Sequence, residues 1–229
     1  MNRFLLAIPV LASLVLSASA VQAQPYQNLL QDKSLALWMK QDGGDVESGW
    51  EFTPDGLLHL AGKGGNLLTR EEFGDFDLWF EWKIAEKGNN GIKYRVKQYG
   101  NQWLGLEYQI QHDEAFPKMA NKHQTASLYD IFEPSQPIFE RRYLPLEEFS
   151  TSRIIVQNGR IRHWMNGKLI IDEQVGTERW KNAVANSKFK NHEAFGENHN
   201  GRLMLTDHGT EVWYRNVFIR SLDGCALLP

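Results

Sequence analysis

The sequence predicts an all-β protein, a β-sandwich or jelly roll of antiparallel strands, and three observations carry this prediction. Short runs alternate between apolar and polar residues, the Asn-Gly pairs at 158–159 and 166–167 stand between such runs, and patterns with helical spacing are few. Alternation is typical of a half-buried strand, and Asn-Gly is a strong short-range hairpin signal. Many short strands separated by turn residues favour a sandwich. The chain of 229 residues is long enough for one domain with a sizeable core.

The composition is ordinary for a globular protein and excludes one class of partner. Hydrophobic residues make up 42%, charged residues 23%, and the net charge is −3, so the basic footprint of a nucleic-acid-binding protein is missing. Residues 1–23 form a separate unit, in which Arg3 precedes an apolar run and then small residues. This pattern predicts a signal peptide, with an uncleaved N-terminal anchor as the alternative. We therefore expect an exported protein, periplasmic or secreted, without a membrane anchor after cleavage, whose single domain spans residues 24–229.

The elements of the first half follow one another at short intervals. Residues 50–60 contain Pro54-Asp55-Gly56, which predicts a turn between two short strands. Residues 77–84 alternate strictly and predict a longer strand with one apolar face. Residues 88–91, GNNG, predict the turn that leads into a strand at 92–97.

The second half begins with a long irregular stretch. Residues 112–150 contain four prolines and an apolar, strand-like SLYDIF, so we expect ordered loops that cover one face of a sheet. Residues 153–172 then predict a three-stranded meander, with turns at its two Asn-Gly pairs. Residues 177–186 predict a short helix with Thr177 as N-cap, and two further strands are expected at 202–206 and 211–222.

Residues 106–114, LEYQIQHDE, carry the first functional signal. Glu107, Gln109 and Gln111 alternate with apolar residues, so they should share the polar face of one strand. A row of hydrogen-bonding side chains suggests a sugar ligand. A conventional retaining glycosidase, however, needs two carboxylates about 5 Å apart. The places where the second carboxylate of a sandwich glucanase would stand hold Gln109 and either Gln111 or His112.

Six stretches taken together resemble one known family. They are NNGIKYRV (89–96), LEYQIQHDE (106–114), TASLYDI (125–131), RHWMNGK (162–168), SKFKNHEAFG (187–196) and LTDHGTEVWYRNVFIR (205–220). In this order they resemble the 3-keto-disaccharide hydrolases, over roughly residues 34–222. The resemblance implies a concanavalin A-like jelly-roll sandwich of two antiparallel sheets, with long loops over the concave face.

The resemblance also implies a reaction that does not require paired carboxylates. Members of the family act on glucosides oxidised at C3 to a ketone, which makes the hydrogen on C2 acidic. A base removes this proton, the enediolate expels the aglycone from C1, and water adds back; direct hydrolysis is the other route. Elimination needs one base, one stabiliser of the oxyanion and one acid. A sugar 3-dehydrogenase acting upstream would be a natural partner.

Three residues are predicted to be catalytic. Glu107 resembles the family's glutamate in the Glu-x-Gln-Ile strand and is the first candidate for the carboxylate. Asp207-His208-Gly209 follows a predicted strand at a turn, and His has a pKa suited to acid–base chemistry near neutrality. Asp207 would orient His208, although it could instead only cap the turn.

The remaining candidates are predicted to bind substrate. Lys93 and Arg95 should lie on the polar face and hold the C3 oxygen, unless they pair with glutamates on neighbouring strands. The other members of this set are Gln109, Gln111, Tyr129 and His163. Tyr129 would stack on sugar or pack its loop down, and His163 would have either a binding or a structural role.

No histidine spacing matches a metal motif, so no metal ligand is assigned; a divalent cation remains possible as the oxyanion stabiliser. His112 stands at a position where members of the family often carry Asp, and this difference would weaken a metal site that used the position.

Two other functions compete with the cleavage of 3-keto sugars. A non-catalytic lectin-like module would use the amides and aromatics alone, and a conventional endo-glucanase would require a second carboxylate elsewhere.

Overall fold

The computed structural model describes residues 24–136 and 144–228, and strands dominate them. The predicted signal peptide lies outside the described residues. The strands are β1 (Gln27–Asn28), β2 (Trp38–Met39), β3 (Trp50–Phe52), β4 (Leu58–Leu60), β5 (Leu67–Thr69), β6 (Phe76–Ile84), β7 (Asn89–Tyr99), β8 (Gln102–Gln111), β9 (Ser150–Gln157), β10 (Arg160–Met165), β11 (Lys168–Gln174), β12 (Arg202–Leu205) and β13 (Val212–Ser221). The helix α1 spans Glu178–Ala185, and short 3-10 turns span Gln31–Lys33, Asp113–Ala115 and Asn121–His123.

These strands form two antiparallel sheets, which confirms the predicted sandwich. The larger sheet has eight strands in the order β11-β10-β9-β6-β13-β4-β3, with β1 paired to β13. The smaller sheet has five strands in the order β2-β5-β12-β7-β8. Their apolar faces meet in one core, in which Phe80 of the larger sheet contacts Tyr108 of the smaller sheet edge to face. Each sheet therefore turns its second face outward, and β8 is an edge strand.

The structure confirms the two Asn-Gly turns and the helix cap, which were predicted from residues that favour a particular backbone conformation. Asn158 and Gly159 both have positive φ, as do Asn166 and Gly167, so two tight hairpins join β9, β10 and β11. Thr177 caps α1, and its hydroxyl oxygen accepts a hydrogen bond from the Trp180 amide at 3.2 Å.

Across the described part of the chain, no helix has the length and apolar character that crossing a membrane requires.

The turn predicted at 88–91 is displaced toward the N-terminus. Asn89 and Asn90 already belong to β7, and the reversal occurs just before them, where Lys87 has a φ of 58°. Paired asparagines beside glycine indicate a turn, but here the β8 ladder extends to pair Asn89 with Gln111. The shift matters because it places Asn89 and Gly91 on the outward face next to Glu107.

The long stretch after β8 folds back against the free edge of that strand. The Ala126 amide donates to the Gln109 carbonyl at 2.9 Å, and the Tyr129 amide donates to the Glu107 carbonyl at 2.9 Å. The segment 125–129 therefore behaves as a short additional strand at the edge, a common way to satisfy exposed backbone groups. The prediction of ordered loops holds for the described part of 112–150; residues 137–143 lie outside it.

Candidate active site

The outward face of β8 centres on a buried carboxylate. Glu107 is only 3% exposed, and its Oε2 lies 3.9 Å from Lys93 Nζ on the paired position of β7. Its Oε1 is buried and has no hydrogen-bond partner among the described residues. A buried carboxylate oxygen without a donor is costly, so this atom points to a group that arrives with the ligand.

Gly91 creates the space that this carboxylate occupies. A Cβ atom added to Gly91 would stand 2.4 Å from Glu107 Oε1, well inside van der Waals contact. Its φ is not in the left-handed region, so the absence of a side chain serves close approach rather than backbone conformation. The glycine therefore sets where the carboxylate lies above the sheet.

A row of amides continues along the same face. Gln109 Nε2 donates to Asn89 Oδ1 at 3.2 Å and to Gln111 Oε1 at 3.1 Å, and Gln111 Nε2 contacts Met119 Sδ at 3.3 Å. Because Gln109 uses its N–H groups within this row, its carbonyl oxygen is the atom it can offer to a sugar hydroxyl. The predicted alternation of Glu107, Gln109 and Gln111 on one face is confirmed.

The covering segment brings Tyr129 beside this face. Its amide donates to the Glu107 carbonyl, and its ring stacks on His123 with centroids 4.9 Å apart. Burial, reinforced by the negative charges of Glu107 and Asp130, raises the pKa of Tyr129. The phenol is therefore a neutral hydrogen-bonding group near the carboxylate.

Lys188 joins the site from a distant loop, and sequence reasoning missed it. Its backbone amide donates to Asp130 Oδ2 at 2.5 Å, and its Nζ lies 4.2 Å from the centre of the Tyr129 ring. The residue as a whole is exposed, but partial burial of its ammonium lowers its pKa, while the charge of Glu107 opposes that shift. The available signal was its place in SKFKNHEAFG, one of the six family-like stretches.

Asp130 holds this arrangement together. Besides the Lys188 amide, its carboxylate accepts from His123 Nε2 at 2.7 Å and lies 2.8 Å from Lys122 Nζ. Burial would raise the pKa of Asp130, but the hydrogen bonds from Lys122, the Lys188 amide and His123 lower it below the usual value. The resulting anion fixes the Lys188 loop against the Tyr129 segment.

His208 lies at the rim of the same site. The residue is exposed, yet its ring interacts electrostatically with Glu107, Lys93 and Lys188. Partial burial is the largest cause that lowers its pKa; Glu107 opposes this shift, and the two lysines add to it. At neutral pH the imidazole is therefore predominantly neutral and able to accept a proton.

Asp207 has a structural position in the turn. Its Oδ2 accepts from the Gly65 amide and its Oδ1 from the Gly209 amide, each at 2.7 Å. Both oxygens thus bind backbone N–H groups, which is the turn-capping alternative considered for this residue. Among the described residues, no hydrogen bond joins the Asp207 carboxylate to the His208 ring, so the predicted orientation of His208 by Asp207 is not observed.

Arg95 is placed elsewhere, and the prediction that it shares the face of Glu107 is wrong. The β7–β8 register shifts between Tyr94 and Lys97, and Arg95 has a φ of 51°, so the alternation is broken by a bulge. The side chain is buried, with Nη2 3.7 Å from Asp75 Oδ1. It therefore lies at a different cluster and does not reach the Glu107 site.

His163 is a core residue, and its predicted substrate contact is also wrong. It is 0% exposed between the sheets, with Nε2 2.9 Å from the Tyr94 hydroxyl and Nδ1 3.1 Å from the Ala126 carbonyl oxygen. Burial lowers its pKa to about 4. A neutral histidine in this place links the two sheets beneath the site.

Asp75, His199 and Asp223 form a group with metal-ligand spacing in the described part of the chain. Arg95 Nη2 lies 3.7 Å from Asp75 Oδ1, and this positive charge disfavours a cation. Around Glu107 the two lysines have the same effect. The possible divalent cation remains an untested prediction.

Comparison with known proteins identifies the family. The model of the 3-keto-alpha-glucoside-1,2-lyase-like domain matches residues 25–220, which is most of the chain. The chain belongs to this family. The resemblance inferred from the six stretches is thereby confirmed.

Two relatives define how far the likeness extends. A 3-keto-disaccharide hydrolase of Bacteroides thetaiotaomicron is 29% identical over 238 aligned residues, covering 89% of this chain and 80% of the relative. The crystal structure of a Parabacteroides distasonis protein provisionally assigned as a glycosyl hydrolase superposes with a TM-score of 0.76 at 26% identity, covering 86% of this chain and 94% of that one. A second such structure from the same species has a TM-score of 0.70 at 20% identity, covering 87% and 100%, and supports the fold.

Proposed function

We propose that this member of the family cleaves the glycosidic bond of 3-keto-glucosides, including 3-keto-disaccharides, by elimination followed by hydration. The observation that carries the proposal is the buried Glu107 Oε1, which has no hydrogen-bond partner within residues 24–136 and 144–228 and lies in a site with two lysines and a neutral histidine. One carboxylate with positive charge nearby fits removal of a proton whose loss creates an oxyanion.

In the first step Glu107 takes the proton from C2 of the 3-keto sugar. The electron pair of that C–H bond forms the C2–C3 double bond, and the ketone oxygen becomes negatively charged. Lys93 and Lys188 supply the positive charges for that oxygen, the part first assigned to Lys93 and Arg95. Collapse of the enediolate re-forms the ketone, makes the C1–C2 double bond and expels the aglycone oxygen, which receives the proton from Glu107.

In the second step water adds to the unsaturated sugar. His208 is suited to accept a proton from water as its oxygen bonds to C1, because its lowered pKa leaves it neutral at neutral pH. Glu107, which gave its first proton to the aglycone, takes a proton from solvent and delivers it to C2, and His208 releases its proton to solvent. The sum is the glycoside plus one water giving the free 3-keto sugar and the free aglycone.

The names of the family and of one relative support this proposal. The family is named for lyases of 3-keto-α-glucosides, and the Bacteroides relative for hydrolysis of 3-keto-disaccharides. The substrate's ketone requires a preceding oxidation, so a sugar 3-dehydrogenase is the class of enzyme that would supply it. The signal-peptide pattern of residues 1–23 supports a reaction outside the cytoplasm, in the periplasm or the medium.

The test compares two matched substrates, a glucosyl disaccharide and the same disaccharide with a ketone at C3, with and without a chelator. We expect release of the second sugar from the keto form alone, with deuterium incorporated at C2 when the reaction runs in D₂O. Glu107→Gln should abolish turnover while sugar binding persists. Glu47→Gln, at an exposed position, is the matched control and should retain full activity.

Each competing function gives a different result. Cleavage of the plain disaccharide would show a conventional glycosidase and refute the role of the ketone. Binding without turnover in the unaltered protein would show a lectin-like module. Loss of activity on chelation would show that a metal ion, and not the two lysines, stabilises the oxyanion.

A further inference from the structure

The outward face of the larger sheet carries an aromatic row on the side of the sandwich away from Glu107. The strand registers pair Phe218 with Trp79, Trp79 with Arg153, Arg153 with Trp164, and Trp164 with Leu169. Paired residues of antiparallel strands share a face, so these five side chains form one line across β13, β6, β9, β10 and β11. We call this line the outer aromatic row.

The centre of this row is a depression with polar and aromatic walls. Its lining includes Tyr26, Trp79, Thr151, Arg153 and Trp164. Trp79 and Trp164 are half-buried, whereas the apolar residues that alternate with them along their strands are fully enclosed in the core. Phe218 stacks on Trp79 with centroids 6.3 Å apart, and the Arg162 guanidinium lies 5.3 Å from the Trp164 ring centre. The parts of the two indoles that border the polar hollow stay in contact with solvent and are the surface offered to a ligand.

Arg153 is held rigidly between the two indoles. Its Nε and Nη2 donate to Asp77 Oδ1 and Oδ2 at 2.7 and 2.8 Å, and its guanidinium lies 5.6 Å from the centre of the Trp164 ring. Asp77 lies beside the row on the same face of β6, where it is fully buried, and it also accepts from Arg220 Nη2 and the Tyr26 hydroxyl, at 2.8 and 2.7 Å. The carboxylate therefore offsets part of the arginine charge and fixes its orientation.

This combination matches the surface chemistry of a sugar chain. A pyranose ring presents an apolar face of C–H groups, which an indole ring can cover, and a rim of hydroxyls, which fixed donors can bind. Trp79 and Trp164 lie on strands separated by β9, so their Cα atoms are about two strand spacings, ~10 Å, apart. That distance is comparable to the length of a disaccharide, with Arg153 between the two rings.

We propose that the outer aromatic row is a second carbohydrate-binding surface, which holds a neutral glucan oligosaccharide by stacking on Trp79 and Trp164. A neutral chain is favoured because Asp77 engages Nε and Nη2 of both Arg153 and Arg220, so the edge of each guanidinium that would bind an anionic group side-on is already occupied. The surface lies on the opposite sheet from Glu107 and needs no ketone on its ligand. Its existence is therefore independent of the reaction proposed above.

The test measures binding of linear hexasaccharides of glucose with α-1,4, β-1,4 and β-1,3 linkages by titration calorimetry. The Glu107→Gln protein should bind at least one of them as the unaltered protein does. Trp79→Ala and Trp164→Ala, singly and together, should weaken that binding, by at least tenfold for the pair, while turnover of a 3-keto-disaccharide is unchanged. Trp213→Ala is the matched control, because this indole lies on the same outward face but stacks on His59 outside the row.

Three outcomes would overturn the proposal. They are failure of the unaltered protein to bind any of the three oligosaccharides, binding that survives in both single tryptophan variants and in the double variant, and binding weakened equally by Trp213→Ala. Thermal melts of each variant identify loss of folding. If the double variant does not fold, the two single variants decide the question, each with a smaller expected loss of affinity.

Discussion

His163 gives the stability of this protein a defined dependence on pH. The ring is enclosed between the sheets and contacts the Tyr94 hydroxyl and the Ala126 carbonyl oxygen at 2.9 and 3.1 Å. Its pKa is lowered from 6.5 to about 4, and burial is the largest cause. The unfolded chain, where this histidine is hydrated, therefore binds a proton at a higher pH than the native protein does.

The sign and size of the effect follow from this difference. Between pH 6.5 and 4 the unfolded state holds more protons at this position, so the free energy of unfolding falls as the pH falls. Above the unfolded pKa the contribution is fully present. For one site with these two pKa values, moving from pH 7.5 to 5.0 removes roughly 2 kcal/mol, and further acidification toward pH 4 removes about another 1 kcal/mol.

The assay is urea unfolding at pH 7.5 and 5.0 for the unaltered protein and for His163→Gln, which does not titrate. The variant is expected to be less stable at pH 7.5, but to lose about 2 kcal/mol less than the unaltered protein between the two pH values. Other titrating groups cancel in this comparison because both proteins contain them. Equal losses in the two proteins would refute the assignment of His163 as a buried neutral residue.

Two further predictions concern the site on β8 and β7. Gly91→Ala places a Cβ atom 2.4 Å from Glu107 Oε1, so the carboxylate must shift; we expect turnover of the 3-keto substrate to fall by about 10²-fold, as for a displacement near 1 Å, with the sheet retained by circular dichroism. Normal turnover in Gly91→Ala would mean that the position of Glu107 does not limit the reaction. Lys188→Met keeps most of the length of the side chain but removes its charge, and kcat should fall by about 10²–10³-fold with a smaller change in KM. Lys190→Met, on an exposed neighbour, is its control, and an equal effect in both would contradict a specific role for Lys188.

The fold was predictable where local chemistry decides the backbone. The meander of β9, β10 and β11 follows from two Asn-Gly turns, and α1 follows from the Thr177 cap, because these signals act within a few residues. Glu107, Gln109 and Gln111 were placed correctly because strand alternation is uninterrupted there. The order of the strands in the two sheets depends on long-range packing and was not accessible from any single run.

The errors at the site have equally specific causes. Alternation assumes a continuous pleat, and the bulge at Arg95 rotates that side chain away from the face predicted for it. His163 shares its face of β10 with Ile161 and Met165, whereas Arg160 and Arg162 lie on the other face, so alternation already favoured the structural role and the choice of a substrate contact disregarded it. Lys188 enters the site because its backbone amide donates a hydrogen bond to Asp130 Oδ2. The two residues are 58 positions apart in the sequence, and no local pattern encodes such a contact.

The backbone pairing between segment 125–129 and the edge of β8 constrains how this protein can diversify. The carbonyl of Glu107 and both backbone groups of Gln109 are bonded to this segment, so replacing it would uncover a strand edge as well as remove Tyr129. Asp113 belongs with this segment, because its carboxylate accepts hydrogen bonds from the Thr125 amide and hydroxyl. The stretch 114–120 makes no such bond to 125–129 among the described residues, and Met119 from it already contacts Gln111. Loop exchange aimed at a different leaving sugar should therefore be confined to 114–120, so that the shape beside the amide row changes while the edge of the sheet stays closed.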